Sequence, residues 1–150
     1  MGLIYYAGHG LQIDGQNYML PVDVTMSSEL GISKSSIYEN DLIKVLKPHI
    51  SAGRAFVLVF DACRNLPDGS FRGFKPVVGM SKLESAPPPA GFFVAYATQS
   101  GSVASNLGPN GVNSPFTQAF LEQLPNNAAT MPLYPFFKRI KERVVGYMSG

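Results

Sequence analysis

Five consecutive apolar residues, Phe56, Val57, Leu58, Val59 and Phe60, stop abruptly at Asp61, Ala62, Cys63 and Arg64. A run this short and this rich in valine and phenylalanine reads as a buried strand of a parallel sheet. Charge at the carboxyl end of such a strand lies where open α/β sheets place their chemistry. Leu3, Ile4, Tyr5, Tyr6 and Ala7 repeat the pattern and run into Gly8, His9 and Gly10. The sequence therefore predicts a histidine and the chain's single cysteine, each at the carboxyl end of its own core strand.

The rest of the chain supplies a frame for these two strands. Leu11 to Pro21 alternates around Asp14-Gly15, which predicts a small hairpin with its turn there. Val22 to Ser36 is polar and punctuated and reads as a surface loop. Asn40 or Asp41 caps a helix to Ile50, with Leu42, Val45, Leu46 and Ile50 on its apolar face. Residues 65–91 form a long connection with several glycines and the run Pro87-Pro88-Pro89, the kind of segment that is usually functional or mobile. Phe92 to Thr98 is another apolar strand. Ser114-Pro115 opens a helix to about Leu124. Pro135 opens the last helix, with Phe136, Phe137, Ile140, Val144, Val145 and Met148 on a broad apolar face.

Strands alternating with helices argue for an α/β fold with a mostly parallel sheet. Only three core strands can be counted. The 150 residues suit one domain, 1–150. A chain that is 45% hydrophobic and 15% charged is globular rather than disordered. The net charge of +2 is scattered, without the basic stripe of a nucleic-acid binder. No apolar run approaches the roughly 20 residues of a membrane helix, and no signal peptide is evident. One cysteine forms no internal disulfide, so a cytoplasmic location is expected. Met1-Gly2 lacks the Ser or Thr that myristoylation needs at position 6.

Neighbouring parallel strands lie about 4.8 Å apart, so adjacent strands ending at His9 and Cys63 bring imidazole and thiol together. A free thiol is only slightly ionised at neutral pH, and a nearby imidazole supplies the base that thiolate chemistry needs. The backbone N–H groups of Gly10 and Cys63 can then form an oxyanion hole. Side chains alternate along a strand, so Asp61 shares a side with Cys63, and Ala7 with His9. Asp61 thereby offers a carboxylate to a cationic substrate side chain, with small Ala7 leaving room. Taken singly, each residue has a plainer role. A lone cysteine is most often a small buried hydrophobe, Asp61 can pair with Arg64, and His49 suits the end of its helix. Two strand-end motifs in one chain, with glycines around the histidine, outweigh those roles.

Tyr5-Tyr6-Ala7-Gly8-His9-Gly10 and Asp61-Ala62-Cys63-Arg64 resemble the two active-site motifs of the caspase-like cysteine peptidases, most closely the bacterial metacaspase and paracaspase-like (orthocaspase) branch. Tyr18 to Asp23, Ser70 to Gly73, Ala95-Tyr96-Ala97-Thr98 and Asn113 to Thr117 extend the resemblance over nearly the whole chain. It implies a caspase-hemoglobinase fold and peptide-bond hydrolysis by a Cys63–His9 dyad. It also implies substrate binding by Asp61, Ala7, Ala97 and Thr98, and cleavage after Arg or Lys. Protein or peptide substrates with basic residues are the expected partners, with no nucleic acid and no membrane.

Departures from the pattern shape the remaining expectations. The family's strand–helix–strand ahead of the histidine strand is not in this sequence, so the fold is expected to lack it and the chain to self-associate. Members usually also continue past the last helix, so the domain is expected to be incomplete at both ends. Ala7 stands where many metacaspases have Ser. Asp23 and Asp41 do not make up the acidic cluster of calcium-dependent members, so no cofactor or metal is expected. The 65–91 connection, with Arg72, Lys75 and Lys82, corresponds to the segment cut between subunits in relatives. Two other classes stay open at this point. One is a catalytically incomplete caspase-like module for binding or assembly; the other is an α/β hydrolase-like enzyme using the same dyad.

Overall fold

The computed structural model describes residues 1–24, 28–50, 54–63, 77–78, 88–97, 107–127 and 130–149; the side chains of Glu29, Cys63, Val77, Val78, Asn126 and Asn127 lie outside that description. These residues fall into two compact units, Met1–Val103 and Ala104–Gly150.

The first unit is built on one sheet. Its strands are β1 (Gly2–Ile13), β2 (Gln16–Leu20), β3 (Ile37–Tyr38), β4 (Phe56–Cys63), β5 (Val77–Val78) and β6 (Phe92–Tyr96). The sheet order is β3-β2-β1-β4-β6, with β5 paired to β1 off that path. β4 runs parallel to both β1 and β6. The hairpin β1–β2 and the pairs β2–β3 and β1–β5 are antiparallel. The sheet is thus mixed, parallel at its centre and antiparallel at its flank, within an α/β fold.

β4 is central because it can be buried on both faces. Val57, Leu58, Val59 and Phe60 are all buried, the apolar signature of a strand with sheet on either side and cover above and below. The hairpin turn falls at Asp14-Gly15 as expected, both with positive φ (50° and 72°), the backbone a tight two-residue hairpin requires.

His9, expected to end its strand, does not: β1 continues without a break for twelve residues. The glycines on either side of it stay extended, because pairing with β2 takes over where pairing with β4 stops. The parallel ladder covers Gly2 to His9, and the antiparallel one His9 to Ile13. The three core strands counted from sequence are therefore joined by strands of the hairpin.

Helices lie on both faces of the sheet. α2 (Glu39–Ile50) sets Leu42, Ile43, Leu46 and Ile50 against Met19, Leu58, Phe60, Ala62 and Phe92. Val45, expected on this face, is 69% exposed, and Ile43 fills the inward position instead. Glu39 to Ile43 is one helical turn, and both residues are buried on this face. The stretch expected to be a loop contains a short helix, α1 (Glu29–Ser35), capped by Ser28, whose Oγ accepts from the Gly31 N–H at 3.0 Å. Its buried Ile32 packs against Leu11, Ile13 and Leu20 on the opposite face of the hairpin. That single anchor, rather than helix propensity, holds a segment rich in serine and glycine in helical form.

The second unit pairs α3 (Pro115–Asn127) with α4 (Leu133–Met148). Ser114 caps α3 through its Oγ, which accepts from the Thr117 N–H at 2.9 Å. The edge of the Phe136 ring meets Phe120, with centroids 5.7 Å apart, and Arg143 Nε donates to Glu122 at 2.8 Å. Val145 and Met148, expected on the apolar face of α4, are instead exposed.

Leu58 lies at the middle of β4 with 0% exposure, among Met19, Ile43, Phe60 and Phe92. Leu58→Ala is expected to cost about 2–5 kcal/mol through lost burial and the cavity left behind, measured by urea denaturation.

Candidate active site

The in-register pairing of β1 and β4 sets the site. Ala7 is the ladder partner of Asp61, and His9 that of Cys63. By register and alternation, both pairs fall at positions on one face of the sheet, two residues apart. The histidine and cysteine positions are thus neighbours across adjacent parallel strands at the end of their common ladder. His9 and Ala7 are exposed.

The backbone is oriented as well. The Gly2 N–H donates to Ala55 C=O at 2.8 Å, so even-numbered residues of β1 direct their N–H groups toward β4. The same alternation carries the N–H of Gly10, a buried residue, to the side of the sheet on which β4 ends at Cys63. Beyond that point β5 pairs with Leu11 and Gln12. β2 already occupies the other side of those two residues, so β5 lies in line with β4.

Asp61 is buried, with 6% of its surface exposed. The Tyr5 hydroxyl lies 3.4 Å from its Oδ2, a long and weak hydrogen bond. Ala97 follows β6 directly and its N–H donates to Phe60 C=O at 2.9 Å, which fixes it beside the last turn of the core ladder. Thr98, Arg64, Arg72, Lys75 and Lys82 lie outside the described residues, as does most of the 65–91 connection. Asp41, one of the two acids weighed for calcium, is on the surface in an ion pair with Lys44 at 2.8 Å. Among the described residues, no three His, Cys, Asp or Glu side chains gather as a metal site. No described helix is long and apolar enough to cross a membrane.

Two polar arrangements around the site are not visible in the sequence. In the first, the Tyr6 hydroxyl approaches His9 C=O at 2.6 Å and Leu20 C=O at 2.9 Å. The second is a buried chain on the face covered by α2. Gln12 Nε2 donates to Asn17 Oδ1 at 2.8 Å, and Asn17 Nδ2 donates to Glu39 Oε2 at 2.6 Å. The Tyr96 hydroxyl donates to Glu39 Oε1, also at 2.6 Å. Glu39 is 2% exposed and, among the described residues, has no cationic partner. This carboxylate ties α2 to the hairpin just beyond His9 and to β6 just before Ala97. The positive end of α2 favours its charge. Burial nevertheless raises its pKa above the ordinary 4.5, against the two hydrogen bonds that pull it down.

A profile of the caspase-domain family matches residues 1–149. The chain belongs to the caspase-domain family. No curated protein gives a significant match to it. Membership places the chain among caspase-like cysteine peptidases, and the mixed α/β sheet with its parallel centre is consistent with that family. The two segments that resemble the family's histidine and cysteine motifs are the ones that the β1–β4 ladder sets side by side.

Glu39 gives a pH dependence with a definite sign. Because its pKa is higher folded than unfolded, the stability gained from its protonated form is complete below about pH 4.5. That gain is lost as pH rises through the raised value. Glu39→Gln removes the titration, so the stability of the native chain relative to the variant should fall as pH rises above about 4.5. Denaturant titrations of both proteins at a series of pH values measure it.

Proposed function

We propose that this caspase domain is a cysteine endopeptidase that cleaves after basic residues, Arg in preference to Lys, through a dyad of Cys63 and His9. The observation that carries the reading is the ladder register, which pairs the two residues on adjacent parallel strands in a chain of this family.

In the proposed reaction, His9 takes the thiol proton of Cys63, and the sulfur attacks the scissile carbonyl carbon. Negative charge moves to the carbonyl oxygen, where the N–H groups of Gly10 and Cys63 receive it. The C–N bond breaks as protonated His9 returns the proton to the leaving amine. Water, deprotonated by the same imidazole, then hydrolyses the thioester, releasing the acid and restoring the thiol.

Specificity rests on Asp61. A buried carboxylate two residues along β4 from the proposed nucleophile favours a cationic side chain, and a guanidinium meets it with two parallel hydrogen bonds where an ammonium is a point charge. The exposed Ala7 beside it leaves the approach open. The likeness of both motifs to the metacaspase and paracaspase-like branch supports the same preference, in contrast to the Asp preference of animal caspases. Ala97 and Thr98 complete the proposed substrate-binding set.

The test is hydrolysis of fluorogenic peptides ending in Arg, Lys or Asp. Arg peptides should be cleaved fastest, Asp peptides not at all, and Cys63→Ala should abolish turnover. Asp61→Asn keeps the shape without the charge and should lower kcat/KM for Arg peptides by roughly 2–5 kcal/mol of transition-state binding. An unchanged Arg preference in that variant would remove Asp61 from the pocket. Absence of turnover by a folded native chain that also shows no Cys63-dependent thiol reactivity would overturn the peptidase reading.

A further inference from the structure

We propose that Tyr6 is the positioning residue of His9, its hydroxyl fixing the His9 backbone at the point where β1 passes from one ladder to the other. This rests on the dyad reading above and adds to it the group that orients the base.

A catalytic imidazole is commonly held in place by a third group bonded to its ring. Among the described residues, no side chain hydrogen-bonds to the His9 ring, and the residue is exposed. Its placement therefore comes from its backbone. β2 reaches back along β1 only as far as the His9–Leu20 pair. The Tyr6 hydroxyl sits at that last rung, 2.6 Å from His9 C=O and 2.9 Å from Leu20 C=O. One O–H reaches both carbonyls of that rung and adds to the backbone pairing of His9 with Leu20. Burial raises the Tyr6 pKa above its ordinary 10, so the group stays a donor throughout the neutral range.

Gly8 is the second, independent observation. Tyr6 and Gly8 are two residues apart, on the same face of β1, so the phenol lies across the glycine. A Cβ at Gly8 would stand 2.7 Å from the Tyr6 hydroxyl oxygen and 2.9 Å from Cζ, closer than real Cβ contacts come. The ring could not keep its place beneath any larger residue. The glycine ahead of the histidine is thus room for the tyrosine that holds the histidine. A displacement of the base by even about an ångström is enough to cost a large share of its rate, so a fixed carbonyl matters to the imidazole attached to it.

Cys63 is the only cysteine, so its alkylation by iodoacetamide reports the dyad without any need for turnover. Rates are measured on the full chain from about pH 5 to pH 9 for native protein, His9→Ala, Tyr6→Phe, Gly8→Ala and the Tyr6→Phe/Gly8→Ala double variant. His9 should sustain alkylation at the acid end, and His9→Ala should remove that limb. Tyr6→Phe should lose about tenfold at pH 6 to 7 and move toward the His9→Ala profile, with thermal unfolding little changed. Gly8→Ala should give the same shift, and the double variant should be no worse than either single, since both break one contact. A Tyr6→Phe profile that overlays the native one while His9→Ala shifts would overturn the role of Tyr6 and leave the dyad standing. Additive losses that follow lowered melting temperatures would equally overturn it, marking Tyr6 as packing alone. A native profile matching that of His9→Ala would remove the dyad itself, and the positioning role with it.

Discussion

Everything chemical in this caspase domain depends on the register between β1 and β4. A strand has only two faces, and a slip of one residue exchanges them. In the observed register Ala7 meets Asp61 and His9 meets Cys63; one step either way would put histidine and cysteine positions on opposite sides of the sheet. The register is enforced far from those residues. Leu58 and Phe60 must face α2, and Ile4 and Tyr6 pack on the same side. The apolar core thus selects the alignment, and the proposed dyad positions inherit it.

The same core contains a feature that works against stability. Glu39 is a carboxylate buried with hydrogen-bond donors but with no cation among the described residues. Taking a charge out of water costs several kcal/mol unless its oxygens are well satisfied. Here both oxygens have short bonds, and the helix terminus adds favourable potential. What the arrangement returns is geometry. One side chain joins α2, the hairpin and β6, which are separated in sequence but meet beneath the sheet. Apolar packing alone would tolerate small sliding among them, whereas a bond of 2.6 Å does not.

How much of this is legible in the chain follows from the range of each signal. β4 is legible because five apolar residues in a row, cut off by charge, suit little besides a buried strand. The Asp14-Gly15 turn and the Ser114 cap are legible because their chemistry is local. The pairing of His9 with Cys63 is legible through two matching strand-then-motif patterns. Other features depend on contacts distant in sequence. Nothing near Glu39 marks it as buried, since its partners Asn17 and Tyr96 lie 22 and 57 residues away. Val45 and Ile43 exchange roles because helix periodicity leaves the orientation of the face uncertain by one residue when both neighbours are apolar. α1 is hidden because its composition favours turns and one buried isoleucine decides its structure. The glycines around His9 suggest a strand end, yet Gly8 serves a tyrosine two residues before it.

β1 belongs to two ladders that overlap at a single residue. Its pairing with β4 ends at His9, and its pairing with β2 begins there. Changes in chain length on the two sides of that residue therefore have unequal consequences. Lengthening the Asp14-Gly15 turn adds chain beyond both ladders and leaves every partner of His9 in place. Removing one residue between Leu3 and Gly8 would force a choice within the first ladder between its apolar alignment and the pairing of His9 with Cys63. The hairpin would move with His9 and keep Leu20 as its partner either way. Length variation among proteins built on this plan should accordingly gather at the hairpin tip and be absent from the short segment ahead of the histidine.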